Sequence, residues 1–458
     1  MDRQEYDVVI IGAGQAGIPL AWGVARTGRT VALVERARPG GSCINFGCTP
    51  TKAVLASARL VHQARRSAAF GIRVGEVEVD FPAVLARARA IAEASRRGIE
   101  DGFRGSENPR LLMGHARLEG RDGAHFRVRI GATTLAAREV VLNTGTRTAV
   151  PPIPGLADIA FIHAGNWLQH PDLPAQLAII GSGAVGLEMA QFYRRMGSDV
   201  TVIDIAPQIA GKEDAEVAGA LQRQLEAEGI AFRLGAQIRE VAQDGRGIIV
   251  RLGEGEVAAG QVFIATGRRP NTDDLGLDTV GVAVSDRGIV QADARLATTV
   301  EGIWVAGDIR GGPMFTHTAW DDYRILLSQM TGDGTRTTDR IVPWVIFTDP
   351  ELGRVGMTEA EARATGRAVK VARFDMRRSG KAAEIGEDEG FIKVIADAAT
   401  GELLGAAVLA VDGGELVHAY VDLMNAGAPY TALRDSIQAH PTLSEAVQSA
   451  VAALDDVP

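Results

Sequence analysis

The feature that most constrains this chain is a repetition. "YDVVIIGAGQAG" and "AQLAIIGSGAVG" are each an apolar run, a G-x-G-x-x-G turn and the start of a helical pattern. A second apolar run follows each: "TVALVE" ends in Glu35 and "DVTVID" in Asp204. From first glycine to acid the separation is 23 residues both times, 12 to 35 and 181 to 204. One such glycine motif is a weak signal, because Gly-rich turns occur in unrelated α/β folds. Strand, glycines, helix, strand and acid in the same register twice predict two dinucleotide sites. Gly12, Gly14 and Gly17, and again Gly181, Gly183 and Gly186, let the backbone approach a pyrophosphate, whose charge sits at a helix N-terminus. Glu35 and Asp204 would accept hydrogen bonds from ribose hydroxyls. The expected fold class is α/β with two Rossmann-like dinucleotide-binding domains.

The rest of the chain divides around these units. Residues 1–150 read as the first part of one nucleotide domain, and "PPIPG" (Pro151–Gly155) as a linker. Residues 151–267 form the second unit, which closes on "ATGRRPN" (Ala265–Asn271). Residues 268–335 return to the first domain through "GIWVAGD" (Gly302–Asp308), and "TGDGTRTTDR" (Thr331–Arg340) marks another boundary. Residues 341–458, with strands such as "GFIKVIAD" and "LLGAAVLAV", read as an α+β domain without a nucleotide motif.

Composition excludes some partners. The net charge of −9 argues against nucleic acid and anionic membranes, which both reward excess Lys and Arg. No run approaches the ~20 apolar residues that span a bilayer. The N-terminus enters a strand pattern directly, without the flanks of a signal peptide, so the expected compartment is the cytoplasm. The 43 arginines against 5 lysines reflect genome base composition.

The only two cysteines, Cys43 and Cys48, lie in "GGSCINFGCTPTK" (Gly40–Lys52). In a cytoplasmic protein a close pair is more often catalytic or metal-binding than a permanent disulfide. A metal site needs three or four ligands, and the motif offers no further Cys and no His. Two inert thiols are the bland alternative. A redox dithiol beside a bound flavin is the favoured reading, and a helix starting here would lower a thiol's pKa.

At this point the chain resembles a known family, the flavin-dependent class I pyridine nucleotide–disulfide oxidoreductases, which include dihydrolipoamide dehydrogenase, glutathione reductase and mercuric reductase. The resemblance covers nearly the whole chain. "GGSCINFGCTPTK" is similar to the family's redox motif, "GAGQAG" to its FAD site, "GSGAVGLE" to its nicotinamide site and "VAGD" to its ribityl-binding site; "HPTLSE" (His440–Glu445) is similar to its C-terminal catalytic motif. The resemblance implies that Cys48 faces the flavin as the charge-transfer thiolate and that Cys43 exchanges with substrate. It implies that Lys52, paired with Glu188, lies near flavin N5, and that Glu445 orients His440 as the proton shuttle. His317 would be a positional element. Further cofactor contacts implied are Gly41, Ser42, His115, Ala116, Thr144, Gly145, Gly267, Arg268, Gly307, Asp308, Phe315 and Thr316. The C-terminal domain would make a homodimer, with each His440 serving the cysteines of the other subunit.

Electrons would then pass between nicotinamide, FAD, the Cys43–Cys48 pair and a small disulfide or dithiol, most like dihydrolipoamide dehydrogenase. A second reading is a mercuric-reductase-like reductase of Hg²⁺ or Cu²⁺. "IFTDPELGRVGMTEAEA" resembles mercuric reductases, but their further C-terminal cysteine pair is absent. "AWDDYRIL" (Ala319–Leu326) resembles a branch that includes cupric reductases linked to hypochlorite stress. Phe46 and Thr49 depart from the usual Val and Ile of the redox motif. An NADH oxidase or quinone reductase and a non-catalytic flavoprotein are the remaining alternatives. Asp204 would repel a 2′-phosphate and favours NADH; Arg194 or Arg195 in "YRRMG" would keep NADPH open.

Overall fold

The computed structural model describes residues 4–245 and 247–457. The first glycine motif belongs to a seven-stranded sheet. Its strand Gln4–Ile11 lies parallel between Val31–Glu35 and Thr133–Leu142. Val8, Val9 and Ile10 have no exposure, because helices cover one face and further sheet the other; this is why the strand reads as an unbroken apolar run. Arg110–Met113 extends the sheet past Val31–Glu35. Ile303–Val305 returns from far along the chain to pair in parallel with the end of Thr133–Leu142.

The second motif sits in a five-stranded parallel sheet. Its order is Ala231–Arg233, Asp199–Ile203, Gln176–Ile180, Gln261–Ile264 and Ile162–His163. The first sheet uses the same order, so the repetition extends from the glycine turns to the topology. A three-stranded antiparallel sheet packs on this unit. The segment Pro151–Gly155 is fastened to that sheet: the Val241 amide donates to the Pro154 carbonyl at 2.9 Å. A Cβ at Gly155 would lie 1.9 Å from the Val241 carbonyl oxygen, so only glycine fits.

The C-terminal part is α+β. Five antiparallel strands are ordered Trp344–Ile346, Glu351–Gly356, Leu403–Ala410, Phe391–Asp397 and Val369–Asp375. The helices His418–Asn425 and Ser444–Ala452 bury Tyr420, Val447 and Val451 against it. Among the described residues no helix is long and apolar enough to cross a membrane.

The second unit meets this sheet through buried charge. Arg354, 1% exposed, donates from Nη1 to Glu213 Oε1 at 2.9 Å. Lys393, 2% exposed, lies 2.7 Å from a Glu359 oxygen and 3.3 Å from Asp214. Burial pushes the Glu213 carboxyl up from its ordinary pKa, with Arg354 opposing. Removing one partner strands the other in a dry site. Arg354→Ala should therefore destabilise the protein by roughly 3–5 kcal/mol. Thermal unfolding checks this, and the double variant Arg354→Met, Glu213→Gln should recover most of the loss.

Candidate functional site

The two glycine turns are built alike, atom for atom. The Gly12 amide donates to the Val34 carbonyl at 2.8 Å, and Gly181 to Ile203 at 2.8 Å. A Cβ at Gly12 would lie 2.2 Å from the Asn143 carbonyl oxygen; at Gly181 it would lie 2.5 Å from that of Ala265. At Gly17 and Gly186 it would strike the first glycine's own carbonyl, at 2.2 and 2.0 Å. Gly183 has open space around it, and the only atom within 4 Å of a Cβ on Gly14 is the Asn143 amide nitrogen. Each second apolar strand ends in an acid that latches the turn. Glu35 accepts the amides of Ala13 (3.0 Å) and Ala37 (2.8 Å). Asp204 accepts those of Ser182 (2.6 Å) and Ala206 (2.9 Å), and the Ser182 hydroxyl at 2.7 Å. Backbone glycines at a helix start, with an acid beside them, fit a dinucleotide pyrophosphate and ribose in each unit. His115 and Ala116 lie beside Glu35, since the Gly114 amide donates to the Glu35 carbonyl at 2.8 Å. Thr144 and Gly145, on the loop after Leu142, are held by Asn271: Thr144 Oγ1 donates to its carbonyl at 2.8 Å and its amide donates to Gly145 at 2.9 Å.

Both cysteines are reduced. Cys43 lies in the short helix Gly41–Asn45, and Cys48 is the first residue of the long helix Cys48–Arg66. Only Cys48 thus has the positive helix end behind it. Its thiol is pulled down to about 6 by a hydrogen bond from Cys43, against burial, with the Thr316 hydroxyl and the Lys52 ammonium assisting. The Thr316 hydroxyl lies 3.1 Å from its sulfur. The same contact with Cys48, together with burial, pushes Cys43 well above an ordinary thiol. The contact thus pushes the two thiols apart, with Cys48 the more acidic of the pair.

Lys52 lies one turn along the same helix and donates to Glu188 Oε2 at 2.7 Å. Glu188, on the helix Ala184–Met196 of the second unit, is 4% exposed, and its Oε1 accepts the Phe347 amide at 3.0 Å. The Lys52 ammonium also sits 4.2 Å from the Phe347 ring centroid.

Asp308 follows Gly307, whose φ of 72° suits glycine. Its Oδ2 accepts the Thr146 hydroxyl at 2.8 Å and faces Arg268 Nε at 3.3 Å. Arg268 also reaches the Ser42 hydroxyl at 3.4 Å, beside Cys43 and Gly41. Gly267 accepts the Ala149 amide at 3.0 Å, where the strands Thr146–Thr148 and Arg268–Pro270 tie the two nucleotide units together. Phe315 caps the helix Thr316–Thr331, and His317 stacks on its ring, 5.2 Å between centroids. His317 Nε2 donates to the Pro343 carbonyl at 2.8 Å, which fits a positional element.

His440 and Glu445 form their own pair: Nδ1 lies 2.9 Å from Oε1, and the carboxylate also accepts the Thr442 amide at 2.9 Å. The His440 side chain is 79% exposed.

Arg194 and Arg195, the residues that kept NADPH open, are engaged elsewhere. Arg195, 5% exposed, is clamped by Glu228 at 2.7 Å and Asp349 at 2.8 Å. Arg194 donates to the Glu228 and Ser198 carbonyls and to Asp199. The sequence reading missed the Ser182 hydroxyl on Asp204, the Phe347 amide on Glu188 and the exposed Arg233 at the end of the strand beside Asp204. The repeated "NTG" and "ATG" after the apolar strands at 143–145 and 265–267 were the available signal for Asn143.

Two dinucleotide-binding units around a cysteine pair, followed by an antiparallel C-terminal sheet, define a flavoprotein disulfide reductase. Residues 6–322 match the family described as pyridine nucleotide-disulphide oxidoreductase, and residues 342–451 match its dimerisation domain. The chain belongs to the pyridine nucleotide–disulfide oxidoreductase family. It is 35% identical to a dihydrolipoyl dehydrogenase of Cupriavidus necator, covering 99% of this chain and 98% of that one. It is 33% identical to a probable pyridine nucleotide-disulfide oxidoreductase of Escherichia coli, RclA, covering 97% and 98%. A solved Cu(II) complex of RclA, described as an HOCl-induced flavoprotein disulfide reductase, matches with a TM-score of 0.89 at 32% identity over 99% of each chain. The protein is an FAD-dependent oxidoreductase that uses a nicotinamide dinucleotide and a redox disulfide, and residues 342–451 are its dimerisation domain.

The asymmetry of the thiols is measurable. In the reduced enzyme, alkylation of Cys48 should slow as pH falls through about 6, where its thiolate gains a proton. Lys52→Met should move that midpoint upward, because a cation favouring the thiolate is gone. Mass-spectrometric alkylation rates across pH check both.

Proposed function

We propose that the enzyme passes electrons from NADH to a small disulfide, or from the corresponding dithiol to NAD⁺, most like a dihydrolipoamide dehydrogenase. The observation that carries this is the placing of the cysteine pair: Cys48 starts the helix Cys48–Arg66 with the Thr316 hydroxyl 3.1 Å from its sulfur and Lys52 one turn along, an arrangement that draws its pKa down while that of Cys43 is pushed up. When bound, FAD supplies a two-electron carrier between nicotinamide and the Cys43–Cys48 disulfide. The residues proposed to hold it are the glycine turn at Gly12–Gly17, Glu35, His115, Ala116, Thr144, Gly145 and the Gly307–Asp308 loop, with Lys52 and Glu188 at its reactive centre. Gly181–Gly186 and Asp204 would hold the nicotinamide dinucleotide. The domain division proposed is 1–150 with 268–335 for FAD, 151–267 for the nicotinamide and 341–458 for dimerisation.

The chemistry of the chain's own residues follows. In the reduced enzyme the base His440 takes the Cys43 proton, and the Cys43 thiolate attacks a substrate sulfur. A mixed disulfide forms, and the first substrate sulfur leaves with that proton from His440. The Cys48 thiolate then attacks Cys43, the second substrate thiolate leaves, and the Cys43–Cys48 disulfide is restored. Glu445 keeps Nδ1 protonated so that Nε2 does the transfer. A His440 that is 79% exposed supports a site completed by the neighbouring subunit. In a twofold dimer this gives two equivalent composite sites.

Reduction of Cu²⁺ or Hg²⁺ is the second reading. It is supported by the likeness to a flavoprotein solved as a Cu(II) complex. A turnover panel with NADH and NADPH against lipoamide, glutathione disulfide, Hg²⁺, Cu²⁺, quinone and O₂ separates the two readings. Lipoamide should exceed the metals, and a panel led by Cu²⁺ would replace the first reading with the second. Cys48→Ser should abolish the long-wavelength charge-transfer band under limiting NADH.

Two further outcomes are expected. Asp204→Ala should weaken NADH use and relax discrimination; a wild-type preference for NADPH of tenfold, about 1.4 kcal/mol, would overturn the assignment of Asp204. Homodimers of Cys43→Ser and of His440→Gln should both be nearly inactive. Their heterodimer holds one site with both lesions and one with neither, so it should regain substantial activity. Heterodimers as inactive as the parents would place His440 outside the partner's site.

A further inference from the structure

The stretch "AWDDYRIL" has no part in the chemistry above, yet it carries a carboxylate with no solvent exposure, that of Asp322. Asp322 lies well inside the helix Thr316–Thr331, where aspartate is a poor helix former and lies beyond the first turn. A buried carboxylate requires donors, and this one has four. Oδ2 accepts the Gly307 amide at 2.8 Å and Arg310 Nε at 3.0 Å. Oδ1 accepts Arg310 Nη2 at 3.2 Å and Arg340 Nη2 at 2.6 Å. Gly307 immediately precedes Asp308, whose own carboxylate is set by Thr146 and Arg268, and Arg268 reaches Ser42 beside Cys43. Arg340 ends the Thr-rich segment that leads into the dimerisation domain, and it also holds Asp321 Oδ2 at 2.6 Å. An unbroken run of polar contacts thus joins that segment to the loop of Asp308 and on to the residue before the outer cysteine.

We propose that Asp322 is a positioning residue for FAD: it fixes the Gly307 amide and so aims the Asp308 carboxylate, and Arg340 makes this hold depend on the entry to the dimerisation domain. The proposal rests on the reading of Gly307–Asp308 as a flavin loop. The physical argument is one of charge. Arg310 and Arg340 have side chains 15% and 14% exposed; Arg310 has its ion pair with Asp322, and Arg340 divides between Asp322 and Asp321. An amide at 322 would keep an acceptor for Gly307 but take the charge from Arg310 and leave Arg340 with Asp321 alone. Arg310 would then seek another acceptor, and the nearest carboxylate to it along the chain is that of Asp308 itself.

The test measures the FAD dissociation constant, from flavin fluorescence released on dilution of the holoenzyme, and the melting temperature of the apoprotein. Asp322→Asn and Arg340→Gln should each weaken FAD binding tenfold or more while leaving apoprotein melting close to wild type. Asp322→Glu, which keeps the charge, should recover part of the affinity. Arg336→Gln, whose contact is with Asp321 at 3.8 Å, should leave both measurements unchanged. Asp308→Asn is the control for the underlying reading: if it binds FAD like wild type, the flavin loop is elsewhere. If Asp308→Asn releases FAD but Asp322→Asn and Arg340→Gln keep wild-type affinity, the proposal alone falls. It falls equally if their loss of FAD is matched by a fall in apoprotein melting, since Asp322 then acts on the fold and not on the cofactor loop.

Discussion

One buried carboxylate holds three parts of this molecule to a common point. Glu188 projects from the helix Ala184–Met196, takes Lys52 from the helix Cys48–Arg66 and takes the Phe347 amide from the residue that follows the first strand of the C-terminal sheet. At 4% exposure its two oxygens depend on these donors in place of water. The spacing of the two nucleotide units and the distance of Lys52 from Cys48 are therefore fixed together. The cation that favours the Cys48 thiolate is placed by an acid from a different unit, so the chemistry of the thiol depends on the assembled fold.

The separation between what the chain's letters reveal and what only the fold reveals follows contact range. The glycine turns were legible because their constraint is local: a Cβ at Gly17 or Gly186 collides with a carbonyl only five residues away. Glu35 and Asp204 were legible because strand, helix and strand fix the return distance. The cysteine pair and "HPTLSE" were legible by resemblance, and their short separations make Cys48 a helix start and place Glu445 against His440. Asp322, Phe347 and Arg340 were not. Each acts across a long loop of chain, and an aspartate inside a helix or a phenylalanine amide carries no pattern of its own. The fate of Arg194 and Arg195 was hidden for the same reason, since Glu228 and Asp349 approach from elsewhere in the sequence.

The duplicated latch also bears on nicotinamide choice. Asp204 already receives two amides and a hydroxyl from its own chain. It is held rigidly, and a rigid carboxylate discriminates between a ribose hydroxyl and a phosphate better than a mobile one. Arg233 stands at the end of the neighbouring strand, where its backbone carbonyl accepts the Asp204 amide at 3.0 Å. Under the proposed assignment of Asp204 to the ribose, this fixed anion faces the exposed Arg233, and it holds the advantage because it loses no side-chain entropy on binding.

Lysine is so rare here that its positions are informative. Of the 48 basic side chains only five are lysines, and most ion pairs among the described residues are made by arginine. Two of those five, Lys52 and Lys393, stand at joints between units, among acids brought from separate segments. An ammonium is a compact point charge with three rotatable donors, whereas guanidinium is a larger fork whose donors all lie in one plane. Lys393 faces Asp214, Glu216 and Glu359 at once, which a planar fork cannot do equally well. Lys52 must satisfy Glu188 and the Phe347 ring and still send its field to Cys48. Arginine at Lys393, whose side chain is 3% exposed, would add bulk to a filled joint, and at either place it would spread the charge over a larger group.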